Sequence, residues 1–336
     1  MIGPLPEPQL AQVAWAVRDL TRTCRFYTEV VGFRRAGGRL LWGPGLSILQ
    51  DLGPDAEAIL WWVVGSQAFV QLEFFAHSRP AGRARPSDAR PSDLGWSRVR
   101  IGVADLGAVL ARASARGHRP LGPIQTRAGF PSAALCDPDG VVVELVGDGA
   151  DAADRRDAER SGVESAGPDI APPVLRSVTL SVGDLERASR FWTGVCGLRP
   201  RDDRALLDPS REALWGMAGA RRELLVARGG AVDLELVHYL DPPGRPRPPD
   251  HRLCDQGLLN VALAYRDREQ FDALHARLLA AGCRASVSCP PGPFASTYLQ
   301  DVEGNSFEIF ACPEDHDPLL GFVPEAGFAP GVRLDP

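Results

Sequence analysis

The chain has none of the features that would send it into a membrane, out of a cell or onto nucleic acid. Its apolar stretch around Ile59 ends after six residues, at Val64, far short of a membrane span. Its opening, MIGPLPEPQL, has neither a basic region nor an apolar region of the kind a signal peptide needs. It has no cationic excess. With 37 Lys and Arg against 43 Asp and Glu, the net charge is −6, which gives no general pull toward nucleic acid or an anionic surface. Paired cysteines are also missing. The seven cysteines are odd in number and scattered, without a CxxC, which argues against a disulfide framework or a structural zinc site. They read as small buried hydrophobes in a reducing, cytoplasmic compartment.

What is present suits a globular protein. The 336 residues are enough for about two domains, and 44% hydrophobic with 24% charged residues is ordinary composition for a packed core. The organising feature is a repeat. VAWAVRDLTRTCRFYTEVVGF from Val13 lies over VTLSVGDLERASRFWTGVCGL from Val178 at an offset of 165 residues. LCDPDGVVVELV from Leu135 lies over LQDVEGNSFEIF from Leu299, and QLEFF and RVRIGVAD find partners in DLELV and NVALAYRD. Between the copies, 148–173 is rich in Ala, Asp, Gly and Pro without apolar periodicity, which is linker composition. A Pro/Arg-rich loop divides each copy again, from Arg79 and from Asp241.

Each quarter begins with an alternating strand, an aspartate placed to cap a helix, and then the helix. Leu20, Cys24, Tyr27 and Val31 share one helical face, and Gly32 ends it. The unit is strand, helix, then about three strands, four times over. The expected fold is α+β: tandem paired βαβββ modules forming two cup-shaped, open mixed β-sheets with helices outside. The expected domains are 8–147 and 174–314, with a tail at 315–336.

These blocks resemble the vicinal oxygen chelate superfamily, which includes glyoxalases, extradiol dioxygenases and bleomycin-resistance-type binding proteins. The resemblance implies two modules per cup, with metal ligands on the first and last strands of each module. Those positions hold Gln12, Glu73, Arg98 and Glu144 in the first half, and Ser177, Glu235, Asn260 and Glu308 in the second. None is histidine, whereas a ring-cleaving iron dioxygenase would need two.

If each half closes its own cup, strand alternation lists what lines it. The first cup would hold Gln12, Glu73, Glu144, Arg98 and Arg100, either as an internal Glu–Arg network standing where a metal was lost or as a pocket for a substrate anion. The second would hold Asp233, Glu235 and Glu308 with Ser177 and Asn260, and no Lys or Arg. Crowded carboxylates need a cation, a shared proton or a cationic ligand. Glu235 and Glu308 are therefore the expected acid and base. Glu235, Glu308 and Asn260 are the expected ligands of any divalent cation, with Mg, Mn or Ca favoured over Fe or Zn. Ser177, Asp233, Asn260, Gln12, Arg98 and Arg100 are expected to contact substrate. His251, on the loop before the strand carrying Asn260, is the histidine best placed to reach the site.

The expected function is a glyoxalase-like enzyme moving a proton (isomerase, epimerase or lyase) on an oxygenated small molecule in the second-half cup. The alternatives are a metal-free small-molecule binding or resistance protein and an atypical ring-cleaving dioxygenase. Four modules in one chain suit a monomer or homodimer, with a small-molecule substrate as the partner and neither nucleic acid nor membrane.

Overall fold

A computed structural model describes residues 6–127, 129–147, 171–286 and 292–334. Most of the 148–173 linker, and Cys289, lie outside the described residues.

Each quarter opens as the alternation predicts. In the strand Gln9–Ala16, Val13 and Trp15 are fully buried on the side facing the helix. The chain then reaches an aspartate in extended backbone whose carboxylate takes orphan helix N–H groups. Asp19 accepts from Arg22 N–H at 3.0 Å, Asp105 from Ala108 at 2.9 Å, Asp184 from Arg187 at 2.9 Å and Asp267 from Glu269 at 2.6 Å. Each such cap contributes about 1 kcal/mol.

The first helix, Leu20–Arg25, widens into a π-helical stretch over Phe26–Val31 and stops at Gly32, whose φ of 109° suits glycine. The equivalent stretch Arg190–Val195 widens in the same way. The matched aromatics Tyr27 and Trp192 are fully buried there. Tyr27 stacks on Phe74 at 4.9 Å between ring centres, and Trp192 meets Phe307 edge-on at 5.2 Å. The helix-facing sides of all four quarters join in one contiguous hydrophobic core. The opposite, inner faces carry smaller apolar clusters and the buried charges of Glu73, Glu144, Glu235, Glu308, Arg98 and Arg211.

The sheets pair differently from the expectation that each half closes its own cup. The first sheet runs Ala295–Gln300, Ser306–Ala311, Gly257–Tyr265, Gln9–Ala16, Gln71–Arg79, Glu57–Val64, Arg34–Trp42 and Glu325–Phe328, with Val332–Arg333 also paired to Arg34–Trp42. It joins quarter one to quarter four. The second sheet runs Arg199–Arg201, Arg221–Gly229, Val232–Asp241, Val174–Ser181, Gly95–Val103, Val142–Gly147, Phe130–Cys136 and Gln125–Arg127, and joins quarter two to quarter three. The central seams are antiparallel, Gln9–Ala16 with Gly257–Tyr265 and Gly95–Val103 with Val174–Ser181. The alternation decides which face of a strand is buried. It does not decide which of several similar strands lies alongside, and the two inter-quarter loops carry the chain from one sheet to the other. Quarters one and two still touch through their helices, where Arg112 Nε donates to the Val30 carbonyl at 2.9 Å.

Candidate active site

Register places two rows of side chains across the inner face of the first sheet. One row is Trp62, Glu73, Ala14 and Asn260. The other is Gln71, Gln12, Ala262, Glu308 and Tyr298. The small residues Ala14 and Ala262 leave room at the centre. Above this floor lies a cavity of about 410 Å³, lined by Gln12, Glu73, Glu308 and Tyr298 and walled by apolar groups such as Phe75 and Phe310.

Glu73 and Glu308 are both buried, and neither has a salt-bridging cation among the described residues. Trp62 Nε1 donates to Glu73 at 2.8 Å, and the Ser296 hydroxyl donates to Glu308. Burial and then the neighbouring Glu308 charge push the Glu73 carboxyl up to about 8, against the hydrogen bonds from Trp62 and Gln12 and the charge of Arg39. Burial pushes Glu308 up to about 7 despite its bond from Ser296. Tyr298, beside both, is held protonated first by burial and then by their charges. Asn260 is fully buried beside Tyr298, whose hydroxyl is the polar group that acts on its amide, and neither amide atom makes a well-formed hydrogen bond. Arg39 lies 5.3 Å over the Trp62 ring on the cavity wall.

In the second cup, charge replaces space. Arg211, from the 3-10 turn Pro209–Trp215, reaches the inner face and bridges Glu144 and Glu235, with N–O distances of 2.8 Å to each. The Ser177 hydroxyl also donates to Glu235. Burial alone would raise the Glu235 carboxyl, but Arg211, Arg98 and Ser177 bring it down to about 2. Arg98 lies 4.2 Å over the Trp215 ring and donates to Tyr239 at 3.0 Å; Tyr239 in turn donates to Glu212 at 2.7 Å. Arg100 pairs with Glu144 at 3.3 Å. The internal Glu–Arg network expected in one cup therefore exists, with Glu235 and Arg211 as members and without Gln12 and Glu73.

Several expectations change with this geometry. Glu235 and Glu308 lie on different sheets, so they are not an acid–base pair, nor do Glu235, Glu308 and Asn260 form one ligand set. Both Glu235 oxygens are taken by Arg211 and Ser177. Ser177, Arg98 and Arg100 belong to that closed network. Asp233 is held by Arg201 at 2.6 Å and Arg228 at 2.8 Å. His251 stands 3.6 Å from Asp255 on a separate cavity and does not line the candidate site. Gln12, Asn260 and Glu308 do come together, joined by Glu73. Sequence reasoning missed Tyr298 and Arg39, and required only that one of the adjacent Trp61 and Trp62 point inward. The alternation of Ser296, Tyr298 and Gln300 against the next strand was the available signal for Tyr298.

Two open sheets, each built from two βαβββ units and curled round a polar floor, define a cup-type small-molecule protein. The sequence profile of the Glyoxalase/Bleomycin resistance protein/Dioxygenase superfamily matches residues 9–145 and 174–309, and the chain belongs to that superfamily. Among solved structures it is similar to glyoxalase I from Zea mays, with 17% identity over 93% of this chain and 94% of that one and a TM-score of 0.55. It is also similar to a putative dioxygenase from Bacillus subtilis, with 13% identity over 97% and 92% and a TM-score of 0.63. At these identities the likeness establishes the fold. Among curated protein sequences there is no match to this chain.

Members of this fold family commonly use a divalent cation. Among the described residues there is no cluster of three or more His, Cys, Asp or Glu suited to one. At the first cup, amide oxygens would have to complete the set. Two carboxylates and two amides, Gln12 and Asn260, fit a hard, oxygen-preferring ion, and the buried Asn260 amide oxygen makes no well-formed hydrogen bond that an ion would have to displace.

Proposed function

We propose that the first cup is the active site of a glyoxalase-like enzyme that moves a proton on an oxygenated small molecule, with Glu73 and Glu308 as the acid–base pair. The observation that carries this reading is the pair itself: two buried carboxyls facing one cavity, raised to about 8 and about 7. Near neutral pH such a pair holds about one proton between its two members, so one carboxylate and one carboxylic acid face the same cavity.

The chemistry this supports is isomerisation next to a carbonyl. The carboxylate takes the C–H proton and the electron pair moves to form a C=C bond. The acid protonates the carbonyl oxygen, and the resulting enediol collapses the other way with both carboxyls restored. No oxidant or reductant is consumed. Tyr298 and Gln12 would hydrogen-bond the substrate oxygens. Phe75 and Phe310 would hold an apolar body, and Arg39 would favour a substrate that carries an anionic group. A bound divalent cation would sit on Gln12, Glu73, Asn260 and Glu308 and supply Lewis-acid polarisation of a substrate oxygen.

The test is proton exchange. Incubating the full chain in D2O with a panel of α-hydroxyketones and α-hydroxyaldehydes, and following the α-proton by NMR, should reveal catalysed wash-out for at least one compound. Glu73→Gln and Glu308→Gln should each slow it by about 100-fold or more. Saturable binding of panel members without exchange would favour a binding or resistance protein instead.

A further inference from the structure

A second cavity, about 440 Å³, lies where the two Pro/Arg-rich inter-quarter loops meet, away from the carboxylate floor. The loops are copies of one another at an offset of 162 residues: Arg83, Arg85, Asp88, Asp93 and Gly95 correspond to Arg245, Arg247, Asp250, Asp255 and Gly257. Each loop clasps the other through its first arginine. Arg83 Nη2 donates to Asp255 at 2.6 Å, and its other amine reaches Asp250. Arg245 Nη2 donates to Asp93 at 2.7 Å, and its Nη1 to Asp88 at 2.6 Å. Backbone bonds repeat the exchange, with Gln256 N–H to the Arg83 carbonyl and Leu94 N–H to the Arg245 carbonyl, both at 2.9 Å. These four aspartates are thereby taken up by Arg83 and Arg245, with Arg90 also on Asp93 and Arg252 also on Asp255.

The second arginine of each loop is left over. Arg85 and Arg247 both line the cavity and are partly buried. Neither guanidinium has a hydrogen bond or an ion pair with a described residue. The anions that act on them, Asp137 and Asp93 for Arg85 and Asp301 for Arg247, do so only through space. Each arginine lies across the glycine that opens the opposite quarter. A Cβ on Gly95 would meet Arg247 Nη2 at 2.1 Å, and one on Gly257 would meet Arg85 Nη1 at 3.2 Å. Both glycines have positive φ, 112° and 139°, so the backbone makes way for the guanidinium groups. His251, which also lines the cavity, is kept neutral by burial and by the Arg247 charge, down to about 4, and so offers a ring N–H without adding charge.

Two partly buried guanidinium groups on one cavity, on which carboxylates act only through space, are costly unless something anionic joins them. We infer that this cavity between the inter-quarter loops is a binding site for a small organic dianion, a phosphate monoester or a dicarboxylate, held between Arg85 and Arg247. Forked N–H donors on two sides match the oxygens of either group. The site is independent of the proton-transfer reading, because it shares no lining residue with the first cup.

Calorimetric titration of the full chain with inorganic phosphate, pyrophosphate and succinate, at constant ionic strength, tests this and separates the two sources of charge. The expected result is one equivalent of at least one of these anions per chain. Arg85→Gln and Arg247→Gln should each weaken it by about 10- to 100-fold, and Glu73→Gln should leave it unchanged. The double arginine variant should melt, without ligand, no lower than the parent chain, because it removes unpaired charges. Three outcomes would overturn the proposal. These are no binding tighter than about 10 mM by any of the three anions, binding that survives the double variant, or a clear loss of ligand-free stability in that variant, which would make the arginines structural.

Discussion

Leu46 and Arg211 occupy equivalent positions, 165 residues apart, in the short helical segments Pro44–Leu49 and Pro209–Trp215 that pack onto the two inner faces. Leu46 is fully buried against Ala14, Trp62 and Tyr298, and leaves the first cup's carboxylates without a cation. Arg211 puts a guanidinium between the second cup's carboxylates. One side chain in a duplicated segment thus separates a cup with uncompensated carboxyls from a closed one.

Arg211→Leu should destabilise the protein by about 3–5 kcal/mol, because it takes the ion pair from buried Glu235 and leaves buried Glu144 with Arg100 alone. Replacing all three with Arg211→Leu, Glu144→Gln and Glu235→Gln should recover a large part of that loss. Urea unfolding of the two variants beside the parent chain reads the difference.

Stability should fall as pH rises from about 4 to about 8 through the first cup. Glu73 and Glu308 titrate higher in the folded chain than when unfolded, so the folded state holds more protons over that range. A Glu73→Gln, Glu308→Gln double variant should therefore melt higher than the parent at pH 9, and the gap should narrow toward pH 4. A constant gap across that range would contradict the raised carboxyls.

The second cup has the opposite sign. Glu235 is depressed to about 2 in the fold, so its contribution is in place above the ordinary glutamate range and is lost as pH drops toward 2. Glu235→Gln should flatten the acid limb of a melting-temperature profile between about pH 4.5 and pH 2.

A hard cation should act only on the first cup. Adding Mn²⁺ should raise the melting temperature of the parent chain. The rise should vanish in Glu308→Gln and persist in Glu144→Gln, whose carboxylate is tied to Arg211. Thermal unfolding with and without EDTA makes the comparison.

The sequence made the modules legible because their signals are local. Alternation, an aspartate before each helix and a glycine after it are readable within some twenty residues, and Asp19, Asp184 and Gly32 act as their positions suggested. The floor residues Gln12, Asn260 and Glu308 were legible for the same reason, since side-chain direction follows from strand parity. Partner choice was not. Glu308 was grouped with Glu235, although Glu73 shares its cup, because four similar strands offer equivalent edges and the deciding contacts join residues some 250 positions apart, such as Gln12 with Ala262. Arg211 was invisible for another reason: a turn has no parity from which to infer where a side chain points.

The nested pairing also governs the order in which the chain can fold. Quarters two and three follow one another along the chain, so Gly95–Val103 can find Val174–Ser181 while the polypeptide is still leaving the ribosome. Gln9–Ala16 must wait for Gly257–Tyr265, and its sheet gains Glu308 only later still. High contact order thus falls on the cup with the uncompensated carboxyls, and the closed cup can serve as its folding template. A chain interrupted between residues 241 and 306 would keep every strand of the second cup and lack Glu308 in the first.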